Sequence, residues 1–313
     1  MAGGTNPMTE DRDRGAELSE ILHEVRLIEV QSSRLVTEMM AGGYSSVFRG
    51  SGIEFDEVRE YVEGDDPRTV DWNVTARVGR PYVKKFVDER ELRVLFLLDL
   101  SASMSGGFGL WSARQMAARV CACLALSAVE NNDRVGLIAF SRKVDKYVPP
   151  RKGAGHVLRI VRDCLALPGA SARTELAPAL EFTARVALRR AVVFVMSDFL
   201  VSGWEEALAL CARRHDVIAV RLLPAELAPP ETGLVRLRDP ESGRETVVDW
   251  RSARVRATYG ERVARWRTRT EIGLRRAEVD LIDVPLPREP NKDAVARPIL
   301  RFFRMRELRG AKR

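Results

Sequence analysis

Apolar residues fall along this chain in two alternating patterns. Short runs of mostly apolar residues, at Leu92–Leu98, Val135–Phe140, Ala191–Met196 and Val217–Leu222, have the character of strands buried on both faces, and Val279–Val284 adds a fifth. Between them, residues 111–129, 153–166, 175–189, 204–213 and 251–278 carry helix-like patterns, and a last helix is expected near 293–306. Strands alternating with helices build βαβ units with right-handed crossovers. The expected class is therefore α/β, with a doubly wound, mostly parallel sheet. In the helix of residues 251–278, Val255, Tyr259, Val263, Trp266, Thr270, Leu274 and Ala277 share one mostly apolar face for packing.

Three stretches depart from this alternation. Residues 1–16 read as a disordered lead, and a helix follows in which Leu18, Ile21, Leu22, Val25, Ile28, Leu35 and Met39 keep a helical period up to Gly42 and Gly43. Residues 44–90 are irregular and dense in charges of both signs. Within them Asp66-Pro67 is expected to start a short helix ending at Gly79, with Trp72 and Tyr82 anchoring the segment on the sheet. Within 233–250, LVRLRDPESGRETVVDW (234–250) reads as a hairpin appended to the sheet. The expected organisation is the lead, an N-terminal helix and charged segment at 17–90, and a sheet domain at 91–313.

Composition narrows the function classes. The chain of 313 residues is 45% hydrophobic and 30% charged, which suits a globular domain with a sizeable core. No apolar run approaches the ~20 residues of a membrane helix, and the N-terminus lacks a signal-like apolar stretch, so a cytoplasmic protein is expected. The four cysteines, Cys121, Cys123, Cys164 and Cys211, have no zinc spacing with the three histidines and read as small core residues. Residues 251–313 hold 18 Lys/Arg against 8 Asp/Glu, whereas the rest of the chain is slightly acidic. That basic helix and tail would serve as a solvated face, an acidic-protein contact or a nucleic-acid contact. Its tryptophan lies on the packing face, so no aromatic is interleaved for base stacking.

Candidate chemistry gathers at strand ends. Asp99-Leu100-Ser101-Ala102-Ser103 directly follows the first buried run, Thr174 precedes a helix, and Asp198 directly follows the third buried run. In an open α/β sheet the carboxyl ends of the strands are where ligands bind. Two carboxylates and three hydroxyls on three converging loops suit a hard divalent cation such as magnesium or manganese, which keeps several waters. Helix capping by the acids, and ordinary turn roles for Ser101, Ser103 and Thr174, are the competing readings.

DLSAS, the threonine loop and the post-strand aspartate resemble the metal-ion-dependent adhesion site of von Willebrand factor A domains. Upstream, REYVEGDDPRTVDWNVTARVGRPYVKKFVDERE (59–91) is similar to the signature of domain-of-unknown-function family 58, and DRVGLIAFS, SDFL and RRHDVIAVRL continue the resemblance. It implies a von Willebrand factor A-like domain holding Mg2+ or Mn2+ through Asp99, Ser101, Ser103, Thr174 and Asp198. It further implies a non-enzymatic adaptor or co-chaperone of a MoxR-type AAA+ ATPase, with a partner protein supplying a carboxylate to the cation. Where such proteins often carry Gly-Thr-Asp, this chain has Arg173-Thr174-Glu175, and a neighbouring arginine disfavours the cation.

The enzyme alternative is a magnesium-dependent hydrolase or phosphatase. A haloacid-dehalogenase-type phosphotransferase needs a second acid two residues after the first, where Ser101 stands. There is no GxxxxGK[ST] phosphate loop and no GxSxG elbow. The glycines of Gly106-Gly107-Phe108-Gly109 read as slack in the metal loop.

Overall fold

The computed structural model describes residues 19–33, 36–37, 54–62, 65–66, 68, 70–87, 91–169, 174–228, 233–291 and 293–310. The expected lead at 1–16, the stop at Gly42 and Gly43, and the residues Pro67 and Arg173 lie outside them. Residues 48–91 make one compact unit, and the chain on both sides of them makes a second.

The larger unit begins with helix α1 (residues 19–33), which buries Val25, Ile28 and Ser32 on one face while Leu22 is exposed. Glu24 on this helix accepts from Arg119 at 2.9 Å. In the smaller unit, β1 (Glu54–Glu60) and β2 (Tyr82–Val87) pair antiparallel around α2 (Trp72–Val78). The helix starts later than expected. Asp71 is its N-cap, accepting from the amides of Asn73 and Val74, whereas Asp66 accepts from Arg68 N in a local turn. Val70 consequently lies outside the helix and bridges to Val83. Trp72, expected as an anchor, is 73% exposed.

The larger unit continues with β3 (Arg93–Asp99), α3 (Ala102–Ser105), α4 (Ala113–Glu130), β4 (Arg134–Phe140), β5 (Val144–Arg151), α5 (Ala154–Ala166), α6 (Ala177–Val186), β6 (Val192–Ser197), α7 (Glu205–Arg214) and β7 (Asp216–Leu223). After β7 come β8 (Leu234–Arg238), β9 (Glu245–Asp249), α8 (Ala253–Arg276), β10 (Asp280–Pro285) and α9 (Ala296–Gly310). Six strands form one sheet in the order β10-β7-β6-β3-β4-β5, parallel throughout except that β5 runs antiparallel to β4. Counted along the chain, that is the doubly wound order 3-2-1-4-5-6, as the alternation implied. The order reverses between β3 and β6, and the crevice at that switch point is where such sheets bind ligands.

β3 and β6 sit at the centre, apolar and buried on both faces, and Phe96 stacks on Phe194 at 5.3 Å. Ser112 and Gln115 close a capping box at the start of α4, which is buried nearly all round, as an alanine-rich central helix should be. All four cysteines are free and buried, and burial pushes the Cys123 thiol up to about 12. The hairpin β8–β9 forms its own two-stranded sheet and is not appended to the main one. Both of its faces are largely exposed, so it buries too little to be held against a sheet edge. On α8 the expected face packs at its C-terminal end, where Thr270, Leu274 and the C-cap Ala277 are buried. Arg306 on α9 bonds to Asp216 and Asp280, the first residues of β7 and β10, so part of the basic tail is paired within the fold.

Candidate functional site

The five oxygen-bearing side chains singled out in the sequence meet at the carboxyl edge, beside the switch point. Asp99 ends β3, and its Oδ1 accepts from the Ser101 amide at 2.8 Å and from the Thr174 hydroxyl at 3.3 Å. The Ser101 and Ser103 hydroxyls lie 3.0 Å apart. Ser103 then donates to Asp198 Oδ2 at 2.7 Å, linking the loop after β3 to the loop after β6.

None of the five is occupied as a helix cap. Ser101 precedes the single turn of α3 without capping it through its side chain. The N-cap of α6 is Leu176, not Thr174, and that of α7 is Trp204, well beyond Asp198. Freed from capping, the hydroxyls and carboxylates face one another.

Sequence reasoning missed one member. Ser197 donates to Asp99 Oδ2 at 2.6 Å and accepts from the Phe199 amide at 3.0 Å. Its signal is the polar end of an otherwise apolar strand, VVFVMS, directly before an aspartate. Phe199 follows in the left-handed region at φ 55, a costly conformation for a bulky residue. The Trp266 indole donates to its carbonyl at 3.0 Å, and its ring meets Trp204 edge-on at 5.5 Å.

The electrostatics are one-sided. Asp99 and Asp198 are almost fully buried, and among the described residues no Lys or Arg forms an ion pair with either. Burial first, and the Asp198 charge second, push the Asp99 carboxyl up to about 6; burial also raises Asp198. Arg221 is in register with Ser197 on the adjacent strand and wholly buried, but its guanidinium goes to Asp283 at 2.7 and 2.8 Å and to Glu271 at 3.0 Å. Arg142 and Glu175 form an exposed pair at 3.7 Å next to Thr174. Two buried carboxylates ringed by hydroxyls and lacking a cation are an oxygen-only donor set, which fits a hard divalent ion. Among the described residues no group of three or more His, Cys, Asp and Glu could hold a metal ion, so hydroxyls would have to complete the set here.

The loop beyond the site is anchored too. Phe108 N donates to Glu226, and Leu110 N donates to Pro287 O at 2.8 Å. At Gly107, φ 131 favours glycine, and a Cβ would stand 3.0 Å from Glu226 Oε1. The glycines therefore let the loop approach Glu226 closely.

The sequence pattern of DUF58, a protein family of unknown function, matches residues 57–269. The chain belongs to this family. In this DUF58 protein the match spans part of the small unit, every site residue and most of α8. The uncharacterized protein Rv1480 of Mycobacterium tuberculosis is 32% identical over 231 residues, covering 72% of this chain and 73% of that protein. The uncharacterized protein MAV169 of Mycobacterium avium is 30% identical over 170 residues, covering 52% of this chain and 95% of that protein. Among solved structures, the conserved hypothetical protein BatB from Bacteroides thetaiotaomicron matches at 17% identity with a TM-score of 0.42, covering 71% of this chain and 100% of that one. The SpRpn10 VWA domain matches at 11% identity with a TM-score of 0.37, covering 67% and 94%.

Proposed function

We propose that this DUF58 protein is a non-enzymatic interaction module that binds a partner protein through a divalent cation, magnesium or manganese. The observation that carries the reading is the buried Asp99–Asp198 pair, joined through Ser101 and Ser103, with Thr174 on Asp99, and lacking a counter-charge. Asp99, Ser101, Ser103, Thr174 and Asp198 would hold the ion directly or through water. Ser197 holds Asp99, and the Trp266–Phe199 bond holds the loop that carries Asp198. When bound, the ion supplies positive charge that neutralises the two carboxylates and an open position for a partner's carboxylate. The resemblance of residues 59–91 supports a MoxR-type AAA+ ATPase as the partner, with this chain as its adaptor or co-chaperone. Among the described residues no helix is long and apolar enough to cross a membrane.

The direct test is calorimetric titration of chelator-treated protein with magnesium and manganese. One site per chain is expected, and Asp99→Ala should abolish it. Equal binding by both proteins would move the site elsewhere. A screen with ATP and phosphate esters should show no turnover; magnesium-dependent turnover lost in Asp99→Asn would establish a hydrolase instead.

The partner contact gives a separate prediction. Replacing Ser101 and Ser103 together by alanine removes two oxygens and little volume, so far-UV circular dichroism should be unchanged. Affinity for the cognate ATPase should fall at least tenfold, about 1.4 kcal/mol. EDTA should reproduce that loss in the wild type and add little in the variant. Binding indifferent to both treatments would remove the metal edge from the contact.

A further inference from the structure

A second surface, away from the carboxyl-edge site, lies where α7 and α8 pack side by side. The groove between them encloses about 590 Å³, and its lining includes Glu205 and Ala209 of α7 and Ala264, Arg265, Arg269, Ile272 and Arg276 of α8. Its floor is apolar, and Ile272 is 43% exposed there. Gly273 lets the two helices close at that point, since a Cβ would stand 2.9 Å from the Trp204 ring. Positions 265, 269, 272 and 276 are spaced 4, 3 and 4 apart, so they form one stripe along α8. This stripe is separate from the packed face carrying Thr270, Leu274 and Ala277.

Three of the four stripe residues are arginines. The structure pairs Arg269 with Glu205 at 3.7 Å, an exposed pair of little strength. Arg265 bonds only weakly to the Glu261 carbonyl, at 3.4 Å. Three of the 18 basic residues of 251–313 are therefore presented here as a row beside an apolar trough. From residue 264 to 277 the trough runs about 20 Å, the length of a helix of three to four turns. No aromatic side chain lines it. Trp266 faces inward, with its N–H on Phe199 O and its ring 5.3 Å from the Arg221 guanidinium, so the surface lacks the stacking platform that single-stranded nucleic acid uses.

We propose that this groove receives an amphipathic helix of a partner protein whose apolar stripe is flanked by acidic residues. The apolar residues of that helix would cover Ala209, Ala264 and Ile272, at the i, i+3, i+4, i+7 spacing of helix-in-groove recognition. Its carboxylates would meet Arg265, Arg269 and Arg276. The surface needs no metal, so it stands or falls independently of the cation site.

The test uses the full chain and a fluorescein-labelled 14-residue peptide with leucines at helical spacing flanked by glutamates. The controls are a scrambled peptide of the same composition, a lysine-for-glutamate peptide and a 14-nucleotide single-stranded DNA. Fluorescence anisotropy at about physiological salt should show saturable binding of the acidic amphipathic peptide, unchanged by EDTA. The scrambled and lysine peptides should bind at least tenfold more weakly. Arg265→Glu with Arg276→Glu, and separately Ile272→Glu, should each weaken the acidic peptide tenfold or more while leaving the melting temperature and the magnesium titration as in the wild type. Absence of binding, equal binding of the scrambled peptide, indifference to both variants or tighter binding of the DNA would each overturn the proposal. Loss of peptide binding in EDTA would overturn it as well, by placing the contact at the metal edge.

Discussion

Replacing Gly136 by valine is expected to lower the urea unfolding midpoint of the sheet-bearing unit sharply. Gly136 lies in β4, between β3 and the edge strand β5, where the register of the β4–β5 pair slips between Val135 and Leu137. A Cβ at this position would stand 2.7 Å from Val148 O, 2.9 Å from Leu95 Cδ2 and 3.0 Å from Pro150 N. Two of these atoms are backbone and cannot rotate away, so the strands themselves would have to separate. Overpacking a close-packed core typically costs ~1–3 kcal/mol, and a branched side chain against fixed backbone exceeds that range. A cost of ~4 kcal/mol or more would take much of a typical 5–15 kcal/mol stability. The same shift would disturb Phe140 O, which accepts from Leu100 N at 2.8 Å and so holds the start of the site loop. Urea melts give the measurement. Gly155 in α5 provides the contrast, because a Cβ there meets nothing within 4 Å, so Gly155→Ala should be neutral or stabilising by up to ~1 kcal/mol. A Gly136→Val midpoint close to that of the wild type would show that β5 can shift to admit the side chain.

The neighbourhood of Gly136 also marks a limit of what the sequence discloses. Strands β3, β4, β6 and β7 were legible as apolar runs because a parallel strand covered on both faces has few polar positions. The edge strand β5, VDKYVPPR, mixes charges with two consecutive prolines, which an edge tolerates and a central strand does not. It therefore carries no strand signal, and it was missed. The pairing of β1 with β2 was hidden differently. Twenty-one residues and a helix separate the two strands, so no short turn announces the hairpin. Asp66 and Asp71 are chemically equivalent cap candidates, and only the backbone fold selects Asp71. At the site, the hydroxyls and carboxylates were legible because they directly follow buried strands in a parallel sheet, where loops converge. Ser197 was not, because a serine ending a strand reads as a boundary until its hydroxyl is seen 2.6 Å from Asp99.

In EDTA, Asp99→Asn is expected to melt at a higher temperature than the wild type at pH 7.5, with the gap closing as the pH falls to 4. The Asp99 carboxyl stands at about 6 in the fold against 3.8 as a free group, with burial the larger cause and the Asp198 charge the second. Between those values the folded protein retains a proton that the unfolded chain has released. The carboxyl's contribution to stability is then complete below about pH 4 and is lost as the pH rises through 6. At ~1.4 kcal/mol per pH unit, the metal-free wild type gives up on the order of 2–3 kcal/mol by neutral pH. Asparagine keeps the shape without the charge, so it should recover most of that, about 5 °C for a unit of this size. Magnesium should raise the melting temperature of the wild type and leave Asp99→Asn unmoved, because the cation and the neutral side chain relieve the same repulsion. Its apparent affinity for the wild type should weaken as the pH drops below 6, where protons compete for Asp99. A wild type more stable than Asp99→Asn in EDTA at pH 7.5 would mean that Ser197, Thr174 and the Ser101 amide already compensate the buried charge. The electrostatic case for a cation would then fail, whatever the likeness of the loop to an adhesion site.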